Sequence, residues 1–321
     1  MGVLEEYLDY HRKSSAAKDI DTANDCLQYI CERFELNTEQ RYWLAFLYAS
    51  TYSAATAFYI YNEFPDYEHV NVARLQRWWD ANKEKTIFQT DRRWIKSRNQ
   101  FVDSFISYQK FIGKGMTQKQ RFMLLQTGEA SKTYEECMAA CSQIFTFGRF
   151  TLFLYLEMIH TLTGYKLQPN TLDLQNAESS RNGLCYAIGR DDLMNHFTEK
   201  KLTKKDITYL NGELQNIIQQ VKKEGLAHQS IWSIETTLCA FKKHKLGKRW
   251  IGYYIERQQK EILHISSLVT QGVDWDVLWQ FRQETYEQTY TNSDSLRRRT
   301  SNRQDNGNER SSFELSEPEE F

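Results

Sequence analysis

The chain has 321 residues, and its 41 Lys and Arg nearly balance 42 Asp and Glu, for a net charge of −1. That balance excludes a global field for nucleic acid, so any contact with nucleic acid has to use a local basic face. With only 3 prolines and 14 glycines, breakers are scarce and long helices are favoured over strands and turns.

In chain order, the opening MGVLEEYLDYHRK has early acids and no apolar stretch, so no signal peptide is expected. Asn37 followed by Gln40 reads as a capping box that opens one helix running to Phe64, where Pro65 ends it. Asn71 starts a helix carrying Trp78 and Trp79. Asp91 caps another with Trp94, Phe101, Phe105 and Tyr108. Thr133 with Glu136 marks a further start, and Gly148 and Gly164 bracket an apolar helix. Thr203 with Asp206 caps a helix towards Gly225, and Ser230 precedes WSIETTLCAFKKH. Gly247 precedes a helix from Lys248 to about Leu268, and Asp274 caps the last one. No alternating run supports a sheet, so the class is all-α, with residues 1–290 forming a single large helical domain. Residues 291–321 are polar and almost free of apolar side chains, which predicts a disordered tail.

The six cysteines form no CxxC pair, and no histidine stands at zinc-finger spacing from them. They read as reduced, buried thiols of a cytoplasmic protein, and no metal-ligand set is expected. No apolar run reaches the ~20 uncharged residues of a membrane span, so no membrane partner is expected. The 8 Trp and 19 Tyr read chiefly as core, with some rings available to stack on bases.

The segment from Phe147 to Asp192 holds the strongest candidates for a site. Its apolar FGRFTLFLYLEMIHTLTG carries Arg149, Glu157 and His160, and a charge inside an apolar run must be paired, neutralised or functional. Arg149 and Glu157 lie about 80° apart around a helix axis, which suits a buried ion pair and an active site equally. Further on, Asp173 is a candidate acid, and Ser179, Ser180, Arg181 and Asn182 precede LCYAI as at a helix start. Their hydroxyls, the guanidinium and free N–H groups there suit a phosphate, although alone the segment reads as an ordinary serine cap. No Walker A or GxGxxG motif occurs. Glu235 is another carboxylate able to act as a base. Lys242, Lys243, Lys245 and Lys248 form a basic run suited to a DNA backbone, as do Lys200, Lys201, Lys204 and Lys205. Arg249, Tyr253 and Arg257 at i, i+4 and i+8 form one helical stripe.

Six stretches, in order from Arg41 to Glu284, together resemble the amino acid:DNA transferases, phage enzymes also called α-glutamyl/putrescinyl thymine pyrophosphorylases. They are RYWLAFLYASTY, FGRFTLFLYLE, SSRNGL with the following GRDD, ETTLCAFKKH, GYYIERQQKEI and VDWDVLWQFRQE. The resemblance implies a helical fold like that of DNA glycosylases, although no helix-hairpin-helix signature is visible here. It also implies a reaction: an amine, from an amino acid or polyamine, displaces pyrophosphate from 5-pyrophosphoryloxymethyl-deoxyuridine in DNA. The implied partners are DNA carrying pyrophosphorylated hydroxymethyluracil and a small amine or amino acid, in a host-cell cytoplasm. Base flipping onto aromatic rings suits that chemistry. Arg149, Arg181, Arg249 or Arg257 would meet the leaving group, and Glu157, Asp173 or Glu235 would deprotonate the amine. No cofactor is required, while Asp191 and Asp192 leave Mg2+ open as a helper and otherwise read as helix-start acids. The residues also admit a non-catalytic helical nucleic-acid-binding protein, or a glycosylase that uses a carboxylate to cleave the glycosidic bond.

Overall fold

The computed structural model describes residues 2–88, 98–194 and 202–286. Among them it contains fourteen α-helices and no strand, so the chain is all-α as expected. The helices are α1 (Val3–Ala16), α2 (Thr22–Arg33), α3 (Thr38–Thr51), α4 (Ala54–Glu63), α5 (Val72–Asn82), α6 (Phe101–Ile112) and α7 (Gln118–Met123). They continue with α8 (Ala130–Cys141), α9 (Arg149–Thr163), α10 (Glu178–Ile188), α11 (Lys204–Lys223), α12 (Ile231–Lys245), α13 (Tyr253–Leu268) and α14 (Asp276–Thr285). Asp91, Trp94, Lys200, Lys201 and the expected tail at 291–321 lie outside the described residues.

Local chemistry sets most of the helix starts. Asn37 forms the expected capping box with Gln40, Asn71 and Ser230 accept from Arg74 and Ser233 N–H groups, and Thr203 forms a box with Asp206. Asn37→Ala is therefore expected to lower stability by roughly 0.5–2 kcal/mol, read as a shift of the urea midpoint at unchanged slope. An unchanged midpoint would show that the box contributes nothing.

Five expectations need correction. The helix expected from Asn37 to Phe64 is two helices, because Tyr52 takes a left-handed conformation (φ 54°) and Ser53 caps α4 anew. The start expected at Thr133 lies three residues earlier. Thr133 is buried inside α8, and its hydroxyl accepts from the Thr127 N–H at 3.0 Å. Ser179 and Ser180 stand in the first turn of α10 rather than at its cap, which is Ala177. The helix expected from Lys248 starts at Tyr253, after Gly252 at φ 94°, and this leaves Arg249 outside it. The expected cap Asp274 is one place early, since Trp275 precedes α14.

The core is built on α3, α4 and α9. Every residue of α3 from Tyr42 to Thr51 is buried, as are Ala54–Tyr61 of α4 and Leu152–Ile159 of α9. Helices enclosed on all sides are apolar all round, which is why their sequence shows little amphipathic pattern. Aromatic rings fill the centre: Phe46 stacks on Tyr108 with centroids 4.1 Å apart and on Phe147 at 5.5 Å. Each such side chain contributes about 1.5–3 kcal/mol when fully buried. The cysteines are all free; five are buried and Cys239 is partly so. Among the described residues no helix is long and apolar enough to cross a membrane.

The second crossing that positions the site is α10 on α12. It is very close at Gly183, where an added Cβ would lie 2.3 Å from the backbone oxygen of Leu238. Only glycine permits that approach, and it sets the first turn of α10 against the side chains of α12.

Candidate active site

Glu157 lies midway along α9 and is 6% exposed. Its Oε1 accepts from Asn24 Nδ2 at 2.8 Å. The ion pair with Arg149 that the spacing left open is not formed: Arg149 instead meets Asp173, with Nε 3.8 Å from Oδ2. Burial pushes the Glu157 carboxyl well above the usual carboxylate range. The nearby Asp21 pushes it further, Asn24 opposes the shift, and Glu235 adds to it. His160 takes no part, since its ring stacks on Trp232 at 5.1 Å and its Nδ1 meets Tyr165 O at 3.0 Å.

Glu157 lines a small cavity of about 60 Å³ together with Asp21, Asn24, Tyr52, Arg257 and Glu261. Asp21 comes from the left-handed turn before α2 (φ 55°), and both its carboxylate oxygens accept hydroxyls from α12, Ser233 at 2.6 Å and Thr236 at 3.0 Å. Arg257 of α13 is braced by Glu261, Nε to Oε1 3.5 Å, and Ser53 donates to Glu261 at 2.9 Å.

A second group flanks the cavity where α10 crosses α12. Ser180 donates to Glu235 Oε1 at 2.6 Å, and Lys242 Nζ donates to Ser179 at 2.9 Å, with Cys239 Sγ 3.2 Å from the same hydroxyl. Part of the Glu235 side chain reaches the surface, but its carboxylate is enclosed. Burial therefore raises its pKa, while Ser180, Arg149 and Lys242 pull it back. The two groups adjoin, since Glu235 acts on Glu157, Asp21 acts on both, and Tyr52 senses both Arg257 and Glu235.

The other expected residues are placed differently. Arg181 is 2% exposed and clamps the preceding loop, with Nη1 donating to Leu174 O at 2.7 Å and Gln175 O at 3.0 Å. Asn182 is buried beside it in the helix. Asp173, at φ 49°, is held by Asn176 and faces Arg149. Arg249 donates to the Tyr254 hydroxyl and stacks on Tyr253 at 4.8 Å, so turn geometry rather than a helical stripe joins these residues. Lys243 is buried, Lys245 pairs with Glu6 at 2.8 Å, and Lys248 is exposed. Asp192 pairs with Arg190 at 2.7 Å on the surface. Among the described residues no group of three or more His, Cys, Asp or Glu is arranged to hold a metal ion.

Two carboxyls beside the cavity give the protein a pH dependence. Asp19 accepts from the N–H groups of Gly252, Tyr254 and Ile255, yet burial pushes it up to about 7, and burial with Asp21 pushes Asp25 up to about 6. A folded pKa above the unfolded one means that the native state holds its proton longer. Stability from these groups is thus full below about pH 4 and is lost as pH rises towards 7. The expected result is a Tm that falls between pH 5 and 7, and a shallower fall in Asp25→Asn. Equal slopes in the two proteins would remove Asp25 as a source.

The comparisons with known proteins cover most of the elements that build this site, the family match ending before α13. The model of the family described as "Amino acid:DNA transferase" matches residues 19–248, which contain Asp21, Tyr52, Glu157, Ser180, Glu235 and Lys242. The chain is 27% identical over 262 residues to a protein named serinyltransferase from Salmonella phage ViI, covering 76% of this chain and 63% of that protein. It therefore spans just under two thirds of that relative's length. No solved structure matches. With the family match extending from the turn before α2 to the end of α12, the chain belongs to the amino acid:DNA transferase family.

Proposed function

We propose that the protein modifies bases in DNA by amine transfer, displacing pyrophosphate from 5-pyrophosphoryloxymethyl-deoxyuridine with the amine of an amino acid. The observation that carries this reading is a buried acid, Glu157, at a cavity and within electrostatic reach of Glu235, which Ser180 holds and on which Arg149 and Lys242 act. Family membership and the name of the phage relative support the same class of chemistry.

The steps balance as follows. The ammonium of the amino acid passes one proton to a carboxylate, Glu157 or Glu235. The neutral nitrogen attacks the 5-methylene and forms the C–N bond. The C–O bond breaks, and its electron pair leaves with pyrophosphate, so no redox partner is needed. A carboxyl held above its usual range is better matched to this proton transfer near neutral pH than an exposed one. Arg149 and Lys242 supply positive charge, and Ser179 and Ser180 hydroxyls, where a pyrophosphate would gain negative charge. Tyr52 and Tyr254 offer ring faces beside the cavity for an extruded base. Lys245 and Lys248 remain the exposed members of the basic run for a DNA backbone.

The test is incubation with pyrophosphorylated hydroxymethyluracil DNA and single amino acids, serine among them, followed by digestion and mass analysis of nucleosides. An amino-substituted deoxyuridine is the expected product. Free base would instead assign a glycosylase, and unchanged DNA that stays bound would assign a non-catalytic binder.

A further inference from the structure

We propose that Leu246, at the turn between α12 and α13, is the wedge that enters the base stack of duplex DNA where the target base leaves it. The inference goes beyond the transfer chemistry and rests on the reading above only for the extrusion of that base. Along α12 from Ile231 to Lys243, only Glu235, Thr236, Cys239 and Lys242 are not buried, so they form the open face of the helix. Glu235, Cys239, Lys242 and Leu246 stand at i, i+4, i+7 and i+11, which is a single line along that face. The Leu246 N–H still donates to Lys242 O at 3.2 Å, so the helical register reaches it. Eleven residues at helical rise set Leu246 about 16 Å from Glu235 along the axis. Extrusion requires such a separation, because the base travels into the pocket while the residue that replaces it stays in the stack.

An exposed leucine alone needs no explanation, and Leu268 at the end of α13 is open to nearly the same degree, 48% against 50%. Leu246 differs in its surroundings. Residues 242–249 hold five Lys and Arg and no carboxylate, and the exposed Lys245 and Lys248 flank Leu246 on either side. Lys245 pairs with Glu6 at 2.8 Å, but a surface pair of this kind is weak and yields readily to a phosphate. The turn is stiff: Gly247, at φ 68°, donates to His244 O at 2.9 Å, and the Lys248 N–H donates to Lys243 O at 2.8 Å. His244 ties it down, with its Nδ1 3.1 Å from Arg249 O and its ring 4.9 Å from that of Tyr10. The core of a protein interface is depleted of charge, whereas cations around one apolar side chain match phosphates around a base step.

The test is fluorescence-anisotropy titration of the full-length protein with three labelled probes of one sequence. They are a duplex with a single hydroxymethyluracil, the same duplex with an abasic site in its place, and the single strand. The abasic duplex already has a gap, so a wedge enters it without displacing a base. The unmodified protein is expected to bind it about ten-fold or more tightly than the intact duplex. Leu246→Ala should lose about ten-fold on the abasic duplex, the factor for burial of one leucine, and little on the single strand, which has no stack to fill. Leu246→Met, a side chain also able to wedge, should keep the preference. Lys248→Ala should weaken all three probes. A misfolded variant would lose all three probes together, and the comparison on the unmodified protein stands even then. No preference for the abasic duplex in the unmodified protein, or the same preference in Leu246→Ala, would overturn the assignment. The expected pattern in a protein that modifies no DNA would overturn the transferase reading instead and leave the wedge standing.

Discussion

Glu157→Gln is expected to lower kcat/KM for amine transfer by about 10²- to 10⁴-fold, the range for loss of a positioned general base. The change keeps size and shape. Glutamine can still accept from Asn24 through its amide oxygen, so the fold should survive. Replacing a carboxylate whose ionisation is disfavoured by burial and by Asp21 should leave Tm at neutral pH equal or higher. The unmodified protein should show an acid limb in its rate profile above the ordinary carboxylate range, because activity needs the ionised form and burial holds the proton on. Full turnover in the variant would pass the base role to Glu235, whose own Gln variant then becomes the decisive comparison.

Gly183→Ala should be strongly damaging for a change that adds a single methyl group. Its Cβ would lie 2.3 Å from the Leu238 oxygen and 2.6 Å from the Leu238 carbonyl carbon, both backbone atoms that cannot swing aside. Overpacking of this kind costs about 1–3 kcal/mol, occasionally more. The strain falls where α10 crosses α12, so separating the helices would also part Ser180 from Glu235 and Ser179 from Lys242. Gly212, inside α11, is the internal control, because an added Cβ there meets nothing within 4 Å. Gly212→Ala is expected to stabilise by roughly 1 kcal/mol through helix propensity alone. Urea titrations of both variants check this. Equal midpoints would show that the crossing relaxes freely.

The contrast between those glycines reflects how far the sequence could be read. Features decided within one turn of chain were legible: the Asn37 box, the Ser230 and Thr203 caps, and Gly164 ending α9 in a left-handed turn. Glu157 was legible as a charge out of place in an apolar run. The break at Tyr52 was not, because it sits between two fully buried helices whose apolar residues run on without a polar face. Arg249 was misassigned to a helix because Gly252, rather than Gly247, supplies the turn that starts α13.

The site's remaining members had no local signal. Asp21 and Asn24 sit in an ordinary polar stretch, and their roles arise from contacts with α12 and α9 at separations of 212 and 133 residues. Arg181 shows the converse. Its sequence context suited a phosphate, yet it is enclosed as a loop clamp, so Arg181→Ala is expected to act through folding before chemistry.

The most direct measurement follows two labels through one turnover. The substrate DNA carries ¹⁸O at the oxygen bridging the 5-methylene and the pyrophosphate, and the amino acid carries ¹⁵N. Displacement at carbon predicts ¹⁵N in the nucleoside and ¹⁸O in the released pyrophosphate, at equal yields, with both signals lost together in Glu157→Gln. A nucleoside that keeps ¹⁸O and gains no ¹⁵N would contradict this account, because the bond broken would then be phosphorus–oxygen and the amine would have no part in it.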